Sequence, residues 1–149
     1  MLFKQKVYTH CLQQLNDKIH SLKNILQELS ESAMNDTKSS AGDKHETARA
    51  MIQIEQETLG KQLNEAEEQK SILEKINVNF NSKQIHRGSL VETNKGWLFL
   101  SIPFGKIIVD GKTVIAISPQ SPLGIKLMGL GVKDSTTING INYSVENIY

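Results

Sequence analysis

The stretch Leu12–Leu29, "LQQLNDKIHSLKNILQEL", decides the first half of the fold. Its apolar residues Leu12, Leu15, Ile19, Leu22, Leu26 and Leu29 recur at alternating steps of three and four, which lines them along one narrow face of an α-helix. A helix with such a face needs a partner to cover it. The partner is written at Ile52, Leu59, Ala66 and Leu73, seven apart, with Leu63 and Ile76 near the alternate seam positions. Between the two segments lies "NDTKSSAG", Asn35–Gly42, a cluster of turn formers that suits a reversal between antiparallel helices. The pattern predicts helices over about 5–34 and 44–76, each on the order of 45 to 50 Å long at 1.5 Å per residue. A helical coiled-coil hairpin is therefore expected over 1–77, with its tip at about 35–46. Gly60 falls inside the second helix, where it costs roughly 1 kcal/mol against alanine.

After Asn77 the period changes and β-branched and aromatic residues take over, first at Gly88–Val91 and Trp97–Ile102. Asp110-Gly111 separates Ile107–Val109 from Thr113–Ile115, and Asn139-Gly140 separates Thr136–Ile138 from Ile141, Tyr143 and Val145. Asx-Gly pairs between such runs are hairpin signals, because a type I′ turn needs positive φ at both central residues. Ser121 followed by Pro122 reads as the N-cap and first position of a short helix, with Gly129 as its stop. The expected fold class is α+β: the hairpin, then a small antiparallel β domain over 82–149 carrying one short helix.

Composition narrows the function classes. The net charge of +1 gives no reason to expect a polyanion-binding surface. Lys4, Lys6, Lys18, Lys23, Lys38 and Lys61 are interrupted by Glu28, Glu31, Glu65, Glu67 and Glu68, so no continuous basic stripe follows the helices. Cys11 is the single cysteine, which excludes an intrachain disulfide and argues against a thiolate zinc site. It falls inside the helical pattern and reads as a packing residue. No apolar run resembles a signal peptide or approaches the roughly 20 residues that span a bilayer. A soluble, unprocessed, cytoplasmic protein without a membrane partner is expected.

Asp43 and Glu46 are the candidate site residues, standing where the chain leaves the turn and enters the second helix. Asp43 as N-cap with Glu46 at the third helical position would form a capping-box-like arrangement worth about 0.5 to 2 kcal/mol. Two acids at an exposed tip also suit a hard cation such as Mg²⁺, although two carboxylates are too few to hold it unaided. His10, His20, His45 and His86 show no metal or catalytic spacing, and neither Gly88–Leu90 nor Gly129–Gly131 has the spacing of a phosphate loop. An autonomous nucleotide-dependent enzyme is not expected.

Ile117, Ser118, Ser121, Pro122, Leu123, Leu127, Gly129, Val132 and Asp134 follow, without a gap, a pattern of Ile-Ser, two residues, Ser-Pro-Leu, then Leu-x-Gly and a Val-Gly-Asp ending, with Lys133 in place of the glycine. Gly42, Asp43, Glu46, Ala48 and Glu55 follow a Gly-Asp-x-x-Glu-Asn-Ala segment and its helix, with Thr47 and Ala50 where asparagine and tyrosine are usual. In both stretches the chain resembles the bacterial Gre family of RNA-polymerase-binding transcript cleavage factors. The resemblance implies a helical hairpin followed by a domain of FKBP-like fold. It implies a factor that is not itself an enzyme, whose hairpin enters the polymerase secondary channel. Asp43 and Glu46 would then help to bind an Mg²⁺ shared with RNA polymerase, and a water, in a two-metal hydrolysis of backtracked nascent RNA. No cofactor of the chain's own is implied.

Other functions are compatible with the same residues. A channel-binding regulator without cleavage stimulation is favoured by Lys44, Thr47 and Ala50 at the tip. A prolyl isomerase would use an apolar pocket built from Trp97, Phe99, Phe104 and Tyr143, although these aromatics equally make a small core. A structural coiled-coil adaptor would form an oligomer through the seam, whereas two matched seams in one chain predict a monomer.

Overall fold

The computed structural model of the chain describes residues 2–36 and 42–149, with side chains over 2–35 and 46–149. The elements are α1 (Phe3–Asp36), α2 (Gly42–Glu74), β1 (Leu90–Thr93), β2 (Gly96–Leu100), β3 (Gly105–Val109), β4 (Lys112–Ile117), α3 (Pro122–Leu127), β5 (Ser135–Ile138) and β6 (Ile141–Ile148). The fold class is α+β, two long helices and then a sheet, as the change of period after Asn77 predicts. Contacts divide the chain into two compact units, Gln14–Lys70, and Met1–Gln13 with Ser71–Tyr149. The division cuts both long helices, so the first turns of α1 and the last residues of α2 belong with the sheet.

In the helical unit, Leu15, Ile19 and Leu22 of α1 and Ala66 of α2 are buried, which is the predicted seam. Leu26, Leu29, Ile52, Leu59 and Leu63 continue it half-buried. Lys23 Nζ lies 3.7 Å from Glu67 Oε1 across the pair, an exposed ion pair worth at most about 1 kcal/mol. Apolar burial therefore holds the two helices together. Ile25, Met34, Met51 and Ile54 point outward, off the seam.

The other unit is built on a six-stranded sheet ordered β3-β4-β2-β1-β6-β5. Both Asx-Gly hairpins form where expected, with Val109 paired to Lys112 and Ile138 to Ile141. Asp110 and Gly111 have φ of 51° and 74°, Asn139 and Gly140 of 51° and 77°, the doubly left-handed backbone of type I′ turns. A third hairpin, β1 to β2, turns at Asn94 and Lys95, where Thr93 Oγ1 donates to the Gly96 carbonyl oxygen at 2.8 Å.

The sheet is mixed, and this corrects the expectation of an antiparallel one: β2 and β4 run parallel, with Trp97 against Val114 and Phe99 against Ala116. The cause is topological. Hairpin signals describe only strands consecutive in sequence, and here the β3–β4 hairpin docks by its second strand, leaving β3 at the edge. β3 thus takes the place of the crossover helix that usually joins parallel neighbours.

Val91, Leu98, Leu100 and Val145 on one face of the sheet form a core with Leu127 of α3 and with Ile85. Ile108 and Ile115 remain exposed. On the opposite face Leu90, Phe99, Ile107, Val114 and Ala116 are buried, and Trp97 meets Phe3 of α1 edge to face with 5.1 Å between ring centroids. Cys11, on the same helix, is fully buried, and burial pushes its thiol up to about 11, so it is a packing residue held in the inert form.

Candidate functional site at the start of α2

α1 continues to Asp36 and α2 begins at Gly42. Asn35 and Asp36 are thereby helical, and the rest of the expected turn, residues 37–41, lies outside the described residues. Asp43 is the second residue of α2 and not the residue before it, which corrects its reading as the N-cap. Asp43 falls in the first turn of α2, at the positive end of the helix macrodipole, and Glu46 follows three residues on, at the spacing that puts two positions on one helical face. The side chain of Asp43 is outside the described residues, and that of Glu46 is exposed. Thr47, Arg49 and Ala50 are exposed beside it.

The donor set at this end is carboxylate oxygen, which suits Mg²⁺, but an octahedral ion needs more ligands than positions 43 and 46 supply. Among the described residues no cluster of three or more histidine, cysteine or acidic side chains is placed to hold a metal. The helical unit also carries Met34, Met51 and Ile54, each more than 60% exposed. Periodicity alone passed over these three because they lie off the seam.

Other candidates resolve into structural roles. Lys6 pairs with Asp110 at 2.8 Å, Lys23 with Glu67, and Lys4 is buried with Nζ donating to the Phe80 carbonyl oxygen at 2.9 Å, so these three lysines are engaged within the chain. His86 stacks edge to face on Phe80, and its Nδ1 lies 2.8 Å from the hydroxyl of buried Ser89. That serine oxygen also accepts the His86 backbone N–H at 2.9 Å, which makes the pair a local turn rather than a catalytic dyad. Its signal in the sequence was the i, i+3 spacing of "HRGS", too common to single out.

Residues 117–134 work as a folding cassette. The Ser118 carbonyl oxygen accepts from both the N–H and the hydroxyl of Ser121, at 3.0 and 2.6 Å. Ser121 Oγ in turn accepts from Gly124 N at 3.0 Å as the N-cap of α3, with Pro122 at its first position. Leu123 and Leu127 then fill the core, and the Asp134 carboxylate accepts from Gly131 N at 2.8 Å.

A cavity of about 400 Å³ lies beside Trp97, lined among others by Phe3, Lys4, Leu90, Lys112 and Tyr149. Of the four aromatics proposed for an isomerase pocket, only Trp97 lines it. Phe99 is fully buried within the sheet. No helix among the described residues is long and apolar enough to cross a membrane.

No protein-family model matches the chain, and no curated protein matches it either. Among solved structures, the crystal structure of GreA factor homolog 1 (Gfh1) of Thermus thermophilus is similar at 21% identity, covering 95% of this chain and 94% of that one, with a TM-score of 0.35. A second structure, of the transcription factor Gfh1, is similar at 20% identity over 95% of this chain and 92% of that one, with a TM-score of 0.36.

Proposed function

We propose that this chain is a Gre-like factor that binds RNA polymerase and places Asp43 and Glu46 at the polymerase active centre, where they assist hydrolysis of backtracked RNA. The observation that carries this reading is the position of the two acids. They lie among the first residues of α2, directly after 37–41, with Glu46 exposed. The match of Gly42, Asp43, Glu46 and Ala48 to the family's tip segment supports it.

In this reading the factor is an accessory protein and the polymerase is the enzyme. Asp43 and Glu46 would hold a shared Mg²⁺, whose chemistry there is to lower the pKa of a bound water and neutralise charge on the phosphate. Entry through the secondary channel, and contact with the nascent RNA end, belong to the same proposal.

Thr47 and Ala50 depart from the asparagine and tyrosine of the family segment, and they favour a second reading, a channel-binding regulator that does not stimulate cleavage. One experiment separates the two. Asp43→Asn with Glu46→Gln removes charge while keeping size, at a folding cost of about 1 kcal/mol or less. The double variant should bind polymerase like the wild type yet fail to stimulate cleavage of end-labelled RNA in a stalled, backtracked complex. A wild type that binds but cleaves no faster than the complex alone leaves the regulator as the function. Equal stimulation by wild type and variant removes Asp43 and Glu46 from the chemistry.

A further inference from the structure

We propose that the cavity beside Trp97 is a binding site for a small aromatic carboxylate. Its volume, about 400 Å³, lies within the range of ligand pockets, roughly 300 to 1,000 Å³, and its lining has their character: apolar walls with a few polar groups. The walls are aromatic. Trp97 stands 5.1 Å from Phe3 and 5.9 Å from Tyr149 between ring centroids, with Leu90 beside them. A flat apolar body can lie against these faces.

Charge selects the sign of the ligand. Lys4 lines the cavity at only 6% exposure, and Lys112 holds its ammonium 4.8 Å from the Phe3 centroid and 5.4 Å from that of Trp97. Among the described residues, no acidic side chain lines the cavity. A cationic ligand would meet two ammonium groups of its own sign. An anion would meet both. Lys4 has three N–H donors, and among the described residues one of them is met, by the Phe80 carbonyl oxygen. A carboxylate oxygen would supply a further, charged acceptor to this ammonium group. Burial lowers the Lys4 pKa, and a bound carboxylate would oppose that shift.

The remaining polar lining is amide, from Gln5, Asn79 and Asn81, and Gln5 Nε2 already donates to Asn79 Oδ1 at 3.1 Å.

Trp97 is the only tryptophan, so its emission reports on this cavity alone. The full chain is titrated with 3-phenylpropionate, its isosteric amine 3-phenylpropylamine, and acetate, at matched ionic strength, with excitation at the red edge where only tryptophan absorbs. The expected result is a saturable change with phenylpropionate and none with the amine or acetate. Lys4→Met should weaken binding about tenfold, as loss of a charged hydrogen bond implies. Lys112→Met, at an exposed position that does not endanger folding, should weaken it about threefold by removing the outer charge. Equal response to acid and amine, no saturable response to the acid, or unchanged affinity in Lys112→Met would each overturn the proposal. Should Lys4→Met lose its native circular dichroism, the Lys112→Met titration decides alone.

Discussion

The same substitution, glycine to alanine, should have opposite signs at two helical positions of this chain. Gly60 lies inside α2, and a Cβ built on it meets no heavy atom within 4 Å. Alanine there removes unfolded-state entropy and clashes with nothing, so Gly60→Ala should stabilise by about 0.5 to 1 kcal/mol. Gly124 lies inside α3, where a Cβ would collide with the Ser118 carbonyl oxygen, a backbone atom that cannot rotate away. That oxygen is fixed by two hydrogen bonds from Ser121, and the Ser121 hydroxyl caps Gly124 N. Relieving the collision means moving α3 off its cap. The cap is worth roughly 1 kcal/mol and each hydrogen bond about as much again, against a helix-propensity gain of roughly 1 kcal/mol. Gly124→Ala should therefore destabilise the sheet unit by about 2 kcal/mol. Urea titration followed by Trp97 emission reads the sheet unit, and circular dichroism at 222 nm is dominated by α1 and α2. A neutral Gly124→Ala, or a destabilising Gly60→Ala, would refute the argument that open space against backbone contact sets the sign.

Cys11 makes stability fall at high pH. Its thiol is held at about 11 in the folded chain against 9.0 in the unfolded one, so above pH 9 the unfolded state has bound fewer protons and is favoured. The loss should approach 2 kcal/mol by pH 11 and be absent from Cys11→Ala, as urea midpoints between pH 8 and 11 will show. The fragment 82–149 is proposed to fold alone, since its hairpins and capped helix are locally specified; without Phe3 its Trp97 emission should shift to the red, and an unfolded far-ultraviolet spectrum would reject the domain boundary. The chain is also proposed to be a monomer, because the seam residues Leu15, Ile19, Leu22 and Ala66 are covered within it. Sedimentation showing a dimer that survives dilution would contradict this.

Much of the fold was legible because its signals are local. The seam from Leu15 to Leu22 is a matter of spacing, the two type I′ turns are a matter of Asx-Gly, and α3 is bracketed by Ser121 and Gly129. Two features escaped because nothing local encodes them. The parallel pairing of β2 with β4 depends on which side of the β3–β4 hairpin meets the sheet, a choice made by packing at long range. The β1–β2 turn uses Asn94-Lys95 with Thr93 closing it by a side-chain hydrogen bond, and that pair lacks the glycine that marks the other two. The candidate site was found by residue type and place, and the start of α2 moved Asp43 from before the helix to its second position. The aromatic cavity was illegible for a different reason. Phe3, Lys4, Trp97, Lys112 and Tyr149 lie far apart along the chain and come together only when the first turn of α1 meets the sheet.

The open ends of the sheet bear on solubility. The sheet does not close on itself, so β3 and β5 each keep a row of backbone donors and acceptors on their outer side. Such rows can template pairing with another molecule of the same protein. β5 is only four residues long and mostly polar, Ser135, Thr136 and Thr137, so a stranger strand would gain little apolar contact there. β3 is the weaker guard. Lys106 places a charge on it, but Ile108 stands 59% exposed on the strand with Ile115 of β4 beside it, 42% exposed. Concentrated samples should therefore associate through β3 first, and Ile108→Lys would add to that edge the charge by which natural sheets keep to themselves.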